Sequence, residues 1–146
     1  MKVLVIHGPN LNMLGKRDPE FYGTQTLDDI NAHIQSRAKK LGVELESFQA
    51  NGEGTIIDFI QKSAGGAQGI IINPGAYGHY SYAIHDAILD TGLPVIEVHL
   101  SNVHARDEWR RTSVIAPAAR GVVSGFGWRS YTAALELLVE LAKDMG

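Results

Sequence analysis

Short polar or glycine-rich motifs follow each of five predicted β-strands, and their side chains could bind and transform a small anion. The motifs are Gly8-Pro9-Asn10, Asn51-Gly52, Asn73-Pro74-Gly75, His99-Leu100-Ser101-Asn102 and Gly125-Phe126-Gly127. Asparagine and serine side chains form hydrogen bonds with polar substrates, and histidine can transfer a proton near neutral pH. Because the carboxyl ends of parallel strands share one edge of a sheet, we expect the five motifs to line a single crevice.

The composition excludes several classes of function. The chain of 146 residues contains no cysteine, which removes disulfides, thiolate nucleophiles and cysteine metal sites. Its formal charge is -3 and its basic residues are dispersed, so we expect no nucleic-acid partner. The longest apolar runs, 3–6 and 70–72, are far shorter than the roughly 20 residues of a membrane span. We therefore expect one soluble, cytoplasmic domain over residues 1–146.

Runs rich in β-branched residues alternate with segments of helical period, the pattern of an α/β fold built around a parallel sheet. The predicted strands are 3–7, 43–49, 69–73, 94–99 and 121–124. The first, third and fourth runs are apolar nearly throughout, as expected for strands that are buried on both faces.

The helix over 27–41 has the clearest boundaries. Thr26 and Asp29 form a capping-box pattern at its start, and Gly42 suits a left-handed stop at its end. Further helices are predicted over 55–64, 80–91 and 128–143. Two long connections remain, 8–25 and 101–120, the second with a short helix around 106–111.

Five motifs in order along nearly the whole chain resemble the type II 3-dehydroquinate dehydratases. They are 7–12 (HGPNLN), 19–23 (PEFYG), 73–77 (NPGAY), 97–102 (EVHLSN) and 125–127 (GFG). The resemblance implies a flavodoxin-like three-layer sandwich with strand order 2-1-3-4-5. It also implies a hydro-lyase that converts 3-dehydroquinate to 3-dehydroshikimate by anti elimination of water through an enolate.

The resemblance also implies catalytic roles. Tyr22 is the base, and Arg17 stabilises its phenolate, because a free phenol with a pKa near 10 is mostly protonated at neutral pH. His99 protonates the leaving hydroxyl. Glu97 lies two residues earlier on the same strand face, from which it could orient the His99 ring. Asn10, together with Asn73, stabilises the enolate.

The remaining site residues are expected to bind substrate. The resemblance assigns this role to a set that includes one residue contributed by a neighbouring subunit, Asp86. The substrate-binding set is Asn73, His79, Asp86, Leu100, Ser101 and Arg110. It further implies a small-molecule substrate, no cofactor, no metal, and assembly into a homododecamer built as a tetramer of trimers.

Other functions remain open at this point. A nucleotide-binding protein could place phosphate at Gly125-Phe126-Gly127, although Ser130 breaks the G-x-G-x-x-G pattern and no strand follows it. A metal hydrolase lacks an H-E-x-x-H pair. A Schiff-base enzyme would need a desolvated lysine, and only Lys16 is predicted near the crevice. A non-enzymatic interaction domain would leave the loop motifs unexplained.

Overall fold

Five parallel strands form one open sheet at the centre of the protein. The computed structural model describes residues 1–16 and 18–145. The strands are β1 (Lys2–His7), β2 (Glu44–Gln49), β3 (Gly69–Asn73), β4 (Val95–His99) and β5 (Gly121–Ser124). Their order is β2-β1-β3-β4-β5, and every neighbouring pair is parallel. The predicted flavodoxin-like α/β fold is therefore confirmed.

Helices cover both faces of the sheet. They are α1 (Pro19–Tyr22), α2 (Leu27–Leu41), α3 (Glu53–Ser63), α4 (Tyr82–Asp90) and α5 (Arg129–Met145). Successive residues of β1 point to opposite faces: Val3 and Val5 pack with α2 and α5, whereas Leu4 and Ile6 pack with α3 and α4. The result is a three-layer sandwich with two apolar cores.

Local side-chain hydrogen bonds fix the ends of α2 as the sequence predicts. The Thr26 hydroxyl accepts a hydrogen bond from the Asp29 amide at 3.1 Å, and the Asp29 carboxylate accepts one from the Thr26 amide at 3.0 Å. Gly42 ends the helix in the left-handed region, with φ 71°. Both contacts involve residues near in sequence, which explains why the boundaries could be predicted.

The two long connections contain more regular structure than predicted. The first holds a 3₁₀ turn (Leu11–Met13) and α1, which begins at a proline and is capped by the Asp18 side chain. In the second, the short helix predicted around 106–111 is a 3₁₀ turn over Glu108–Arg111, with further 3₁₀ turns at Val103–Ala105 and Ala116–Ala118. Arg106 lies between the first two of these turns in chain order and is extended, so the helix does not begin at residue 106.

The ends of β1 and β3 meet without side chains between them. The Gly8 amide donates a 2.7 Å hydrogen bond to the carbonyl of Asn73. A Cβ atom on Gly8 would lie 2.5 Å from the Pro74 carbonyl oxygen, so only glycine permits this approach. The contact brings the motifs after β1 and β3 together at one edge of the sheet.

In the described part of the chain, no helix has both the length and the apolar character to cross a bilayer.

Candidate active site

A crevice opens at the carboxyl edge of the sheet, where the sequence predicts the site. We call it the strand-end crevice. Its walls come from the ends of β1, β3 and β4 and from both long connections. The lining residues are Pro9, Asn10, Leu11, Tyr22, Asn73, Gly75, Ala76, His79, His99, Leu100, Ser101, Val103, Arg106 and Arg110. Most of the predicted site residues are therefore brought together.

Tyr22 lies at the end of α1 and forms a polar contact across the crevice mouth. Nη2 of Arg106 donates a 2.9 Å hydrogen bond to the Tyr22 hydroxyl, although the two residues are 84 positions apart. The guanidinium carbon also lies 4.4 Å from the centroid of the Phe21 ring and 4.9 Å from that of Tyr22. This charge-assisted bond holds the phenol oxygen at the crevice mouth.

Glu97 and His99 form a buried pair at the end of β4. Nε2 of His99 lies 2.5 Å from Oε2 of Glu97. The second carboxylate oxygen, Oε1, accepts a 2.6 Å hydrogen bond from the Ser113 hydroxyl. Since Nε2 is engaged, Nδ1 is the ring nitrogen with which His99 can serve a ligand. The expectation that both side chains share one strand face agrees with this contact.

Asn10 adopts a left-handed backbone conformation directly after β1. Its φ is 70°, and among the described residues no other non-glycine residue has a positive φ. The Asn51 side chain supports this conformation by accepting a 3.0 Å hydrogen bond from the Asn10 amide. Gln49 donates to the same Asn51 oxygen at 3.1 Å. The motif after β2 thus holds the motif after β1 in place.

Asn73 occupies the floor of the crevice, and both ends of its side-chain amide are bonded. Its Nδ2 donates a 3.0 Å hydrogen bond to the Tyr131 hydroxyl. Its Oδ1 accepts a 3.2 Å hydrogen bond from the Gly75 amide. Asn73 is almost completely buried, so the orientation of this amide is set by the protein.

The other crevice residues present polar groups from three directions. His79 donates through Nδ1 to the Thr112 carbonyl at 2.7 Å, so Nε2 is the ring nitrogen with which His79 can contact a ligand. The Ser101 hydroxyl accepts a 3.3 Å bond from Arg106, and its own hydrogen remains available to donate. Arg110 adds a second cation to the wall, stacked 4.1 Å from the Trp109 ring centroid. Two guanidinium groups and several donors suit an anionic, hydroxylated ligand.

One predicted site residue, Asp86, is not part of this arrangement. Asp86 lies on α4 outside the crevice lining, with its side chain 74% exposed and 3.0 Å from Nδ1 of His85. Arg17 lies outside the described residues, so its predicted position beside Tyr22 stays a prediction.

Sequence reasoning missed Arg106 as a site residue. It follows no strand directly and carries no motif of its own, and the prediction placed it at the start of a helix. The available signal was its position in the segment that leaves β4, five residues after Ser101. Connections at the carboxyl edge of a parallel sheet frequently supply ligand-binding side chains.

Comparisons with known proteins agree with the motifs and the fold. Residues 1–139 match the model of the family described as Dehydroquinase class II. The chain is 58% identical to the 3-dehydroquinate dehydratase of Roseiflexus castenholzii over 139 residues, which cover 95% of this chain and 88% of that protein. It is 56% identical to the enzyme of the same name from Geotalea daltonii over 138 residues, covering 94% and 96% of the two chains.

A solved structure shows the same arrangement of elements. The crystal structure of type II dehydroquinase from Butyrivibrio crossotus superposes with a TM-score of 0.92 at 46% sequence identity. The match covers 94% of this chain and 97% of that one. Fold similarity and sequence similarity therefore each extend over most of the chain.

Proposed function

The chain belongs to the class II dehydroquinase family, which makes it a hydro-lyase. We propose that it converts 3-dehydroquinate to 3-dehydroshikimate by anti elimination of water through an enolate. The observation that carries the proposal is that Tyr22 and His99 line one crevice, each with a polar partner suited to its task. The reaction belongs to the shikimate or quinate pathway. We further propose that residues 1–146 act as one catalytic domain in the cytoplasm.

In the first step, the ionised oxygen of Tyr22 takes a proton from the carbon next to the substrate ketone. The electron pair of the broken C–H bond moves onto the ketone oxygen and forms the enolate. Nη2 of Arg106 holds this oxygen with a 2.9 Å hydrogen bond, and Arg17 is proposed to stabilise the phenolate.

In the second step, the enolate collapses and the tertiary C–O bond breaks. Nδ1 of His99 gives its proton to the departing hydroxyl, so the group leaves as water. Glu97 supports the protonated imidazole, because a carboxylate 2.5 Å away stabilises its positive charge. Afterwards Tyr22 holds one proton more and His99 one fewer, and exchange with solvent restores both.

The enolate needs hydrogen-bond donors that are already in position when its charge develops. Asn10 is proposed to supply this stabilisation, together with Asn73, through an ordered water. The left-handed backbone of Asn10 supports the assignment, since Asn51 fixes the main chain from which the Asn10 side chain extends.

The remaining crevice residues are proposed to bind the substrate's carboxylate and hydroxyls. Leu100 and Ser101 form the segment after β4, where backbone N–H groups and the Ser101 hydroxyl can receive the carboxylate. Asn73, His79 and Arg110 face the ring hydroxyls. Two cations in the wall give the crevice the charge that an anionic ring acid requires.

We propose that the protein assembles into a homododecamer, a tetramer of trimers, in which Asp86 reaches the crevice of a neighbouring copy. Asp86 is exposed and lies away from its own crevice, as such a role requires. The edge strand β5 also exposes Val122, and α5 exposes Leu137, both with almost half of their surface accessible. Sedimentation velocity should give the mass of twelve chains.

The reaction is tested by mixing the protein with 3-dehydroquinate and following the absorbance of the conjugated enone. We expect the rate to be unaffected by chelators, and borohydride with substrate to trap no adduct. Tyr22→Phe and Arg17→Ala should each bring turnover close to background while the fold is kept. A chelator-sensitive rate, a trapped lysine or an active Tyr22→Phe variant would refute the mechanism.

A further inference from the structure

A buried chain of hydrogen bonds links α2 to the floor of the strand-end crevice. Nε2 of His7 lies 2.9 Å from Oδ1 of Asn31, and Nδ1 of His7 lies 3.0 Å from the Tyr131 hydroxyl. The same hydroxyl accepts the 3.0 Å bond from Nδ2 of Asn73. His7 and Tyr131 have no solvent exposure, and the proposed reaction uses neither of them.

Because of the register between β1 and β3, the Tyr131 hydroxyl can form hydrogen bonds with residues of both strands. His7 and Asn73 are partners across the β1–β3 pair, each as the last residue of its strand, so their side chains leave the same face. Tyr131 belongs to the first turn of α5, which packs on that face. Its hydroxyl therefore meets both residues at the point where the strands end.

Each bond in this chain has a defined direction. The Gly75 amide can only donate, so its partner on Asn73 is Oδ1, and the atom facing Tyr131 is the donor Nδ2. Tyr131 accepts this bond, which leaves its own hydrogen for Nδ1 of His7. The His7 ring then carries its hydrogen on Nε2 and donates it to Asn31.

The protonation of both buried groups agrees with these directions. Burial lowers the pKa of His7 to about 4, so the ring is neutral at neutral pH and Nδ1 can accept. Burial also raises the pKa of Tyr131, so the hydroxyl keeps the hydrogen that it donates. Among the described residues, no buried side-chain nitrogen or oxygen lacks a hydrogen-bond partner.

We propose that Tyr131 is a positioning residue that acts through Asn73: the Gly75 amide sets which end of the Asn73 amide accepts, and the Tyr131 hydroxyl holds the donor end in place at the crevice. The inference rests on the proposed function, which assigns Asn73 to the reacting ligand. The terminal torsion of asparagine is broad and roughly two-fold, so reversing the amide exchanges donor and acceptor with little change in shape. The Gly75 amide, which can only donate, excludes this reversal, and the hydrogen bond to Tyr131 holds the amide at its observed torsion.

Removing the Tyr131 hydroxyl breaks its hydrogen bonds to both Asn73 and His7. Nδ2 of Asn73 loses its buried acceptor, and Nδ1 of His7 loses its donor. A buried polar group without a partner is costly, so the Asn73 amide moves or turns to find another. Its remaining N–H would then no longer point reproducibly at the ligand.

Kinetics of three variants test this proposal. Tyr131→Phe keeps the ring in the core, and we expect kcat/KM for 3-dehydroquinate to fall roughly tenfold or more through misalignment. Leu135→Ala is the matched control, since Leu135 is fully buried in the same core and on the same helix. It should lower Tm while leaving kcat/KM of the folded enzyme within about twofold of the parent.

A double-mutant cycle with Asn73→Ala separates positioning from general destabilisation. If Tyr131 acts through Asn73, adding Tyr131→Phe to Asn73→Ala should lower kcat/KM by less than about twofold more. An unchanged kcat/KM in Tyr131→Phe alone would overturn the proposal, and so would two effects that multiply fully. An Asn73→Ala variant of full activity would also overturn it, while leaving the proposed reaction to be judged by Tyr22→Phe.

The hydrogen bond itself can be followed without turnover. In ¹H–¹⁵N spectra, the Asn73 side-chain amide is identified by its disappearance in Asn73→Ala. We expect one of its two protons to exchange slowly with solvent in the parent and markedly faster in Tyr131→Phe. Equal exchange rates in the two proteins would contradict the assigned role of Tyr131, even if the proposed dehydration were correct.

Discussion

The Ser113 hydroxyl donates a 2.6 Å hydrogen bond to Oε1 of Glu97, the carboxylate oxygen that does not contact His99. Glu97 is therefore held between a hydroxyl and an imidazole. Ser113→Ala should loosen the carboxylate and reduce kcat about tenfold, because the His99 ring loses part of its orientation. Steady-state kinetics with 3-dehydroquinate would measure the effect.

Ser63→Ala is a suitable control for this substitution, since Ser63 donates to Glu46 at 3.3 Å in a pair that lies outside the crevice. Ser63→Ala should leave kcat unchanged.

Ser113 also accepts hydrogen bonds from two backbone amides, those of Ile115 and Ala116, so Ser113→Ala is expected to lose some stability as well. Ser113→Thr keeps the hydroxyl and should recover most activity. Failure of threonine to rescue an inactive alanine variant would argue against an orienting role.

Arg106→Ala should lower kcat by about 100-fold. The substitution removes the 2.9 Å hydrogen bond that holds the Tyr22 hydroxyl at the crevice, and misplacing a reacting group by about 1 Å costs roughly this much. Arg106→Lys keeps the charge without the planar guanidinium, so a smaller loss is expected.

Arg111→Ala provides the control for Arg106, because Arg111 is exposed and outside the crevice lining. Both variants remove one positive charge from the same connection. If both variants reduced kcat equally, the loss of one positive charge from this connection would explain the effect, and the hydrogen bond from Arg106 to Tyr22 would have no specific role in the reaction.

Stability should depend on pH through His7. Its pKa is lowered by burial from 6.5 to about 4, so between these values the unfolded chain binds the proton more readily than the folded protein. The free energy of unfolding therefore rises with pH from about 4 to 6.5, and acidification over this window removes about 3 kcal/mol. Urea denaturation at a series of pH values would measure the slope.

His7→Gln retains hydrogen-bonding capacity without a titrating group in this range. The free energy of unfolding of the parent minus that of the variant, taken at each pH, should isolate the contribution of His7, since the carboxylates and the other histidines are common to both proteins. We expect the difference to change with pH only between about 4 and 6.5. Parallel curves would mean that His7 is protonated equally in the folded and unfolded states.

Gly8→Ala should destabilise the fold severely, by more than about 3 kcal/mol. The added Cβ would lie 2.5 Å from the Pro74 carbonyl oxygen, and both partners are main chain that cannot move independently. Gly54→Ala is the contrasting control, because a Cβ there meets no atom within 4 Å and the residue belongs to α3. It should stabilise by up to about 1 kcal/mol. Thermal melts of the two variants should shift in opposite directions.

The sequence predicts those features of the fold that depend on local or repeated patterns. The sheet follows from β-branched apolar runs, and the ends of α2 follow from Thr26, Asp29 and Gly42. The crevice could be anticipated because parallel strands end at a common edge. The four-residue helix α1 was missed, since a segment so short has no detectable apolar period and depends on Asp18 and Pro19 for its start.

Contacts between distant residues could not be read from the sequence. Arg106 reaches Tyr22 only because two long connections meet over the crevice. The pairing of His7 with Tyr131 depends on the strand register and on the position of α5. Single polar residues in apolar surroundings carry no pattern of their own, so their partners become evident only in three dimensions.

The main-chain contact between Gly8 and Pro74 has a practical consequence for altering selectivity. Beneath the crevice the ends of β1 and β3 pack backbone against backbone, so exchanging side chains at Gly8 offers no graded adjustment of shape. Directed evolution toward a differently substituted ring acid should therefore place its library at wall positions such as Ala76 and Val103. Most variants at Gly8 would fail to reach the native state.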